Sequence, residues 1–358
     1  MVGLALALAL VTAAPSSAEE PSHVEEIVVT AQKRAQSIND VSIAVSAFDG
    51  EDLAAMGVAD TRDLALLVPG FTYADSGFNS PIYTLRGVGF NEASQTASST
   101  VGIYLDEVNL PFPVMSKGAN LDLERVEVLK GPQGTLYGRN TTGGAVNYIA
   151  RKPTDELEGR FSLGYANYGT LDAEAAVGGP LLEGLRARLA IRTVNSDEGW
   201  QYSLTRPGDR LGKKDKQTGR ASVEWDALES LTIRATVDAW RDHSEPQAPQ
   251  AVALRAQNPI LGDAALSSET LAHPLVSPET DDARVADWPA NPPLGRDYRL
   301  HDGFIMGSLR SDWEITDWAT LTVLGSLARF ESDGSALPQS GLSVEYVTDR
   351  IIDVDSEA

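Results

Sequence analysis

Few residues in this chain have the types and spacing that chemistry requires. The densest candidate is the glycine-rich stretch Gly131 to Gly144, reading GPQGTLYGRNTTGG, because glycines let backbone amides come close to a phosphate. It fits neither nucleotide fingerprint. G-x-G-x-x-G is absent, and Gly138 to Gly143 is not followed by the Lys-Ser/Thr that a P-loop needs. Tight turns remain, with Pro132 at the second position of a turn from Gly131 to Gly134, and Gly138, Gly143 and Gly144 permitting more. His243 and His301 bracket a long proline- and alanine-rich segment and are candidate metal ligands if they meet. Without a third ligand at a recognisable spacing, solvated rim residues are the favoured reading. No Ser-His-Asp order, cleft carboxylate pair or metal spacing argues for catalysis. With no cysteine anywhere, disulfides and thiolate sites are excluded. The expectation is a non-covalent function with no catalytic residue, no cofactor and no metal.

The 358 residues carry a net charge of -22, so phosphate repulsion disfavours a nucleic-acid partner. Met1 to Ala18 holds an apolar run from Val2 to Ala14, with the small residues Ser16 and Ala18 where a signal peptidase reads. Cleavage after Ala18 is expected, because the run is too short to span a membrane. An n-region without Lys or Arg leaves room for a start further upstream. Glu19 to Ser37 is polar except for Ile27-Val28-Val29, a β-branched core suited to lending an edge strand to another protein. The alternative is an ordinary first strand of the domain that follows.

Residues 37–153 read as a small α+β domain. Asp49 caps a helix with Asp52 at N3 and Gly57 as its stop. Asp60 caps a second, with Asp63 at N3, an apolar face of Leu64, Leu66 and Leu67, and Pro69-Gly70 ending it. Strands are expected at Ile82 to Val88, at Val101 to Val108, through Val126 and Val128 to Leu129, and from Ala145 to Arg151.

From Glu158 the texture becomes segments of about ten residues with alternating polarity, the length of a tilted membrane-crossing strand. Leu185, Ala187, Leu189 and Ile191 share one face, and Arg186, Arg188 and Arg192 the other. Leu171, Ala173, Ala175 and Val177 oppose Asp172 and Glu174, while Leu231, Ile233, Ala235 and Val237 oppose Thr232, Arg234 and Asp238. Eight strands are expected, starting near Gly159, Leu171, Leu185, Thr218, Leu231, Gly303, Thr320 and Leu342. Short joints at Gly178 to Gly184, Asp226 to Ser230 and Glu314 to Asp317 alternate with long ones around Asn195 to Gln217 and His243 to Asp302. Such alternation marks an outer-membrane barrel, with turns in the periplasm and loops outside, and a soluble sandwich would space its turns more evenly. Trp225, Trp313 and Trp318 flank the short turns like an inner aromatic girdle, and Trp200, Tyr202 and Trp240 fall near the opposite rim.

The stretch LERVEVLKGPQGTLYGRNTTGGAVNYI resembles the end of the plug domain of TonB-dependent outer-membrane receptors. It is preceded in the family's order by VSIAVSAFDGEDLAAMG, DLALLVPGF, IYTLRGVG and VGIYLDEV. The resemblance implies a signal peptide over 1–18, a TonB-box linker over 19–36, a plug over 37–153 and the N-terminal part of an antiparallel transmembrane β-barrel over 154–358. It implies a TonB box at Glu26, Ile27, Val28, Val29, Thr30 and Ala31, which would pair with a TonB-type energy-coupling protein, and an ionic latch to the barrel through Arg86 and Arg139. About eight strands of an expected 22 are present, and an eight-stranded barrel has no room for a plug. The chain is therefore expected to be a piece of the whole receptor, unable to transport alone. The implied function is energy-coupled uptake in the outer membrane of a scarce ligand, most often an iron–siderophore complex, with cobalamin, haem or carbohydrate as alternatives. A surface adhesin or enzyme on a small barrel is the rival reading.

Overall fold

The computed structural model describes residues 28–333 except 35, 59, 77–79, 91–96, 249, 251–281, 283, 289 and 291–296, together with the backbone of 351–357. The signal-peptide residues, Glu26 and Ile27 lie outside these described residues. At the N-terminus β1 (Val28–Val29) pairs antiparallel with β2 (Gln36–Ser37). There follow β3 (Val45–Asp49), α1 (Gly50–Ala55) and α2 (Leu64–Leu67). The strands β4 (Phe71–Asp75), β5 (Pro81–Leu85), β6 (Val88–Gly89), β7 (Val101–Leu105) and β8 (Val108–Leu110) come next. The segment ends with β9 (Leu123–Lys130), the single turn α3 (Gly134–Tyr137) and β10 (Gly144–Ala150).

A five-stranded sheet in the order β3-β9-β10-β7-β8 forms the plug's centre, with β10 and β7 parallel. Its core joins Leu64, Val68, Tyr83, Ile103, Val126 and Tyr148. Asp49 caps α1 by accepting from the Glu51 amide at 2.7 Å, while Asp60 opens a 3-10 turn, its amide held by the Asp63 carboxylate at 2.9 Å. Leu66 corrects the expected apolar face. It is 85% exposed, because α2 is one turn long and Leu64, Ala65 and Leu67 are the residues of it that reach the core. The Gly131–Gly134 turn also differs: Gly134 begins α3, and the φ of +98° at Gly131 and +75° at Gly138 supply the reversals on either side.

The wall begins with β11 (Glu158–Ala166), β12 (Thr170–Leu182) and β13 (Leu185–Asn195). A long connection then carries β14 (Gln201–Ser203) and β15 (Arg210–Leu211) before β16 (Asp215–Leu228) and β17 (Leu231–Asp242). The second long connection carries β18 (Val285–Ala286), and β19 (Asp302–Thr316), β20 (Ala319–Asp333) and β21 (Ile351–Glu357) complete the sheet. Eight strands pair in the order β11-β12-β13-β16-β17-β19-β20-β21, with β11 and β21 at the two edges. The last strand begins at Ile351, and Leu342 lies outside the described residues.

Alternation places even-numbered residues of β13, β16, β17 and β19 against the plug and odd-numbered ones outward. Leu189, Ile191, Val223, Val237, Ile305 and Leu309 are exposed on the outer face, where lipid would replace water. Trp225, Trp313 and Trp318 are exposed beside the two-residue turns. At the other end the two long connections form a small sheet, β15-β14-β18, closed over Leu211, Ala248, Ala286 and Trp288.

Candidate functional site between plug and wall

The inner face of the wall carries charges of both signs, and the plug meets them with opposite charges. Arg188 donates to both carboxylate oxygens of Asp122 at 2.5 and 2.8 Å, with both side chains buried. The Asp122 amide is in turn held by Glu174 of β12 at 3.2 Å. Arg220 donates to the Leu121 carbonyl at 2.6 Å and also pairs with Asp238. On the β7–β8 turn, Glu107 accepts from Arg310 of the wall at 2.7 Å. Lys117 reaches Asp302 at 2.8 Å and Asp242 at 3.4 Å, two residues directly opposite each other on β17 and β19. Burial works to lower the Lys117 ammonium, but the two carboxylates outweigh it and hold the group above its ordinary range. Next to it Trp240 donates from Nε1 to the Met115 carbonyl at 3.0 Å and lies where a Cβ at Gly118 would stand 2.5 Å from its ring. Trp240 therefore faces the plug rather than a membrane rim, as its even position on β17 dictates.

The N-terminal segment docks on the opposite side of the plug. Val29 and Ala31 are fully buried against Leu129, Tyr137 and Ala145. Thr30 donates its amide to Glu127 Oε1 at 2.7 Å and its hydroxyl to the same oxygen at 3.2 Å, and Arg125 Nε adds a third donor at 2.8 Å. Glu127 is wholly buried with its second oxygen unpaired, as are both amide atoms of Asn147 directly across the β9–β10 pair. Each unmet buried group costs about 1–3 kcal/mol, so this cover is held by specific bonds over an imperfectly satisfied surface. Beyond it, Lys33 pairs with Glu107 at 3.3 Å. Arg310, Glu107 and Lys33 thus form a continuous ionic path from the wall to the docked segment. Thr30 opens onto a cavity of about 150 Å³ shared with Arg234, Arg310 and Asp312, at the end of the wall that carries the short turns.

Arg86 and Arg139 are exposed, and neither has an ion-pair partner among the described residues. Arg86 sits at φ +52° in the β5–β6 turn, its amide bonded to the Gly70 carbonyl at 2.7 Å. The ionic contacts between plug and wall run mostly the other way, with carboxylates on the plug and arginines on the strands. His243 and His301 do meet, with ring centroids 5.6 Å apart, and His301 Nε2 stands 3.5 Å from Asp297. Among the described residues no group of three or more His, Cys, Asp or Glu could hold a metal ion. Trp200 and Tyr202 lie in the loop connection, with Tyr202 under Arg210 at 4.6 Å. At the long-loop end a second cavity, of about 330 Å³, opens between plug and wall beside Lys117, Arg192, Trp200 and Lys213.

A plug sheet tied by buried ion pairs to an open meander of membrane-length strands is the arrangement of a plug against part of an outer-membrane barrel wall. Residues 37–145 match the family model for the TonB-dependent Receptor Plug Domain. The iron-regulated outer membrane virulence protein of Vibrio cholerae is 30% identical over 215 residues, covering 55% of this chain and 32% of that protein. The pesticin receptor of Yersinia pestis is 28% identical over 258 residues, covering 67% and 37%. Among solved structures, the ferric yersiniabactin uptake receptor of Yersinia pestis aligns with a TM-score of 0.62 at 18% identity, over 83% of this chain and 42% of that one. The ferripyoverdine receptor of Pseudomonas aeruginosa aligns at 0.64 and 15%, over 86% and 37%. The chain spans about a third of the length of the curated relatives it matches. Residues 37–145 thus match the plug domain of TonB-dependent receptors, and the strands that follow share the fold of the wall in the aligned receptors.

Proposed function

We propose that this chain is the plug and opening wall of an energy-coupled outer-membrane receptor that imports a scarce ligand, an iron–siderophore complex. One observation carries the reading: the plug stands between two different openings. At the long-loop end is a charged cavity, and at the short-turn end the β-branched segment Val28 to Ala31 is docked on Glu127. A ligand arriving at the first can alter the wall contacts of Lys117, while a pulling partner requires the second. In this reading residues 1–18 are the signal peptide, 19–36 the linker, 37–153 the plug and 154–358 the wall. Glu26 to Ala31 then form the strand offered to a TonB-type energy-coupling protein, and Arg86 and Arg139 are plug cations available to carboxylates of the wall. The relatives named as receptors for siderophores or as iron-regulated support iron over cobalamin, haem or carbohydrate as the cargo.

The test is Val28→Pro in the full-length receptor. Proline removes a backbone donor and cannot sit in a paired strand. Uptake of the ferric ligand is expected to collapse while surface binding stays intact. Uptake at the wild-type rate would remove the coupling role, and an adhesin or surface enzyme would be indifferent to the change.

A further inference from the structure

Two of the chain's four histidines meet where the long connection between β17 and β19 leaves the wall and rejoins it. The other two, His23 and His273, lie outside the described residues. The backbone brings His243 and His301 together. Asp242 and Asp302 are direct partners at the end of the β17–β19 ladder, and one more bond lies beyond them, from the Leu300 amide to the Ser244 carbonyl at 2.8 Å. His243 and His301 are the pair in between, and their own backbone groups turn to the flanking strands. The His243 amide donates to the Asp215 carbonyl at 2.8 Å, and the His301 carbonyl accepts from the Asp333 amide at 3.1 Å. An antiparallel pair that exchanges no bonds is the closer kind, with Cα atoms about 4.5 Å apart and both side chains on one face. The two rings accordingly have centroids 5.6 Å apart, at an interplanar angle of 58°. Neither histidine lines the cavity that holds Lys117, which their inward-turned neighbours Asp242 and Asp302 clamp.

We propose that His243 and His301 form a two-imidazole site for a divalent transition metal, Cu2+, Ni2+ or Zn2+, and that the bound ion ties together the two feet of the long connection. Imidazoles bound at about 2.0–2.1 Å to one tetrahedral or square-planar ion have ring centres roughly 4.5–5 Å apart, so a closure of under about 1 Å brings both nitrogens to the metal. The surroundings favour a cation: the Asp297 carboxylate stands 3.5 Å from His301 Nε2, in a chain of net charge -22. Among the described residues no set of three or more His, Cys, Asp or Glu is assembled, so water completes the coordination. That donor set selects the ion. Imidazole suits copper, nickel and zinc, whereas Ca2+ and Mg2+ require several oxygen ligands. The site stands apart from the receptor reading, because it holds a bare ion on the wall and carries nothing inward.

The test titrates Cu2+ into the purified, tag-free protein in detergent and reads it by electron paramagnetic resonance. The first equivalent should show the hyperfine pattern of two imidazole nitrogens. His243→Gln and His301→Gln should each weaken that binding at least about tenfold and leave one nitrogen, while His23→Gln/His273→Gln should leave it intact. An unchanged urea midpoint without metal shows that each variant folds. Excess Ca2+ should not displace the copper. Zn2+ should slow amide exchange at residues 242–244 and 300–302 in the wild type and in neither single variant. Copper held by one nitrogen, or full affinity in either single variant, would overturn the site, as would its loss in His23→Gln/His273→Gln. Bound zinc with unchanged exchange at the two feet would overturn the tie.

Discussion

Removing the charge of Asp122 tests how firmly the plug is held. The Asp122 and Arg188 side chains are 1% and 3% exposed, and the pair is bidentate. Breaking a buried pair by removing one partner costs about 3–5 kcal/mol, because the remaining charge stays out of water. Asp122→Asn suits the site, since Asp122 has φ +46° and asparagine tolerates that conformation. Arg188 keeps a second contact to Glu158, but that carboxylate is 47% exposed and contributes at most about 1 kcal/mol. The expected loss is therefore near the low end, about 3 kcal/mol, or roughly 100-fold in the opening equilibrium. Amide hydrogen exchange in detergent reads it directly, with Val101 to Ala150 as the reporter and β16 and β17 as the internal reference. Arg188→Met on top of Asp122→Asn removes the stranded charge and should recover most of the loss. Less than a tenfold change in plug exchange for Asp122→Asn would refute a holding role for the Asp122–Arg188 pair, as would a double variant no better than the single one.

Gly118→Ala should loosen the same seam by about 1–3 kcal/mol, because the added methyl meets Trp240 at 2.5 Å; tryptophan fluorescence during urea titration would show the shifted midpoint. Lys117 predicts an alkaline weakness. Its folded pKa is raised, so its contribution is complete below the unfolded value of about 10.4 and is lost as pH rises through the higher folded value. Plug exchange should therefore accelerate above about pH 11 in the wild type, and Lys117→Met should remove that part of the pH dependence.

Much of this fold is legible in residue order because a strand's period is two. The split of Leu185, Ala187, Leu189 and Ile191 from Arg186, Arg188 and Arg192 is the split between outer face and plug face. The same parity places Trp240 inward, a consequence that a reading of aromatics as membrane girdles overlooks. Capping was legible at Asp49 and Asp60, where the bonds are local. Leu66 was not, because one helical turn is too short to express an amphipathic stripe. Plug-to-wall pairs were out of reach for a different reason. Asp122 and Arg188 are 66 positions apart, and nothing in either neighbourhood names the other. Glu127 offers a signal in retrospect: it is a charge inside the strand Leu123–Lys130, whose residues 126–129 are all buried, so it needs a partner.

The opposed placement of the two openings can be measured with single cysteines, since the native chain has none. Thr30→Cys and Lys213→Cys would each be probed in intact cells with a membrane-impermeant thiol reagent. Residue 213 should label at once, and residue 30 only after the outer membrane is permeabilised. Labelling of residue 30 from outside, or protection of residue 213, would contradict a plug that separates an outer ligand cavity from an inner coupling segment.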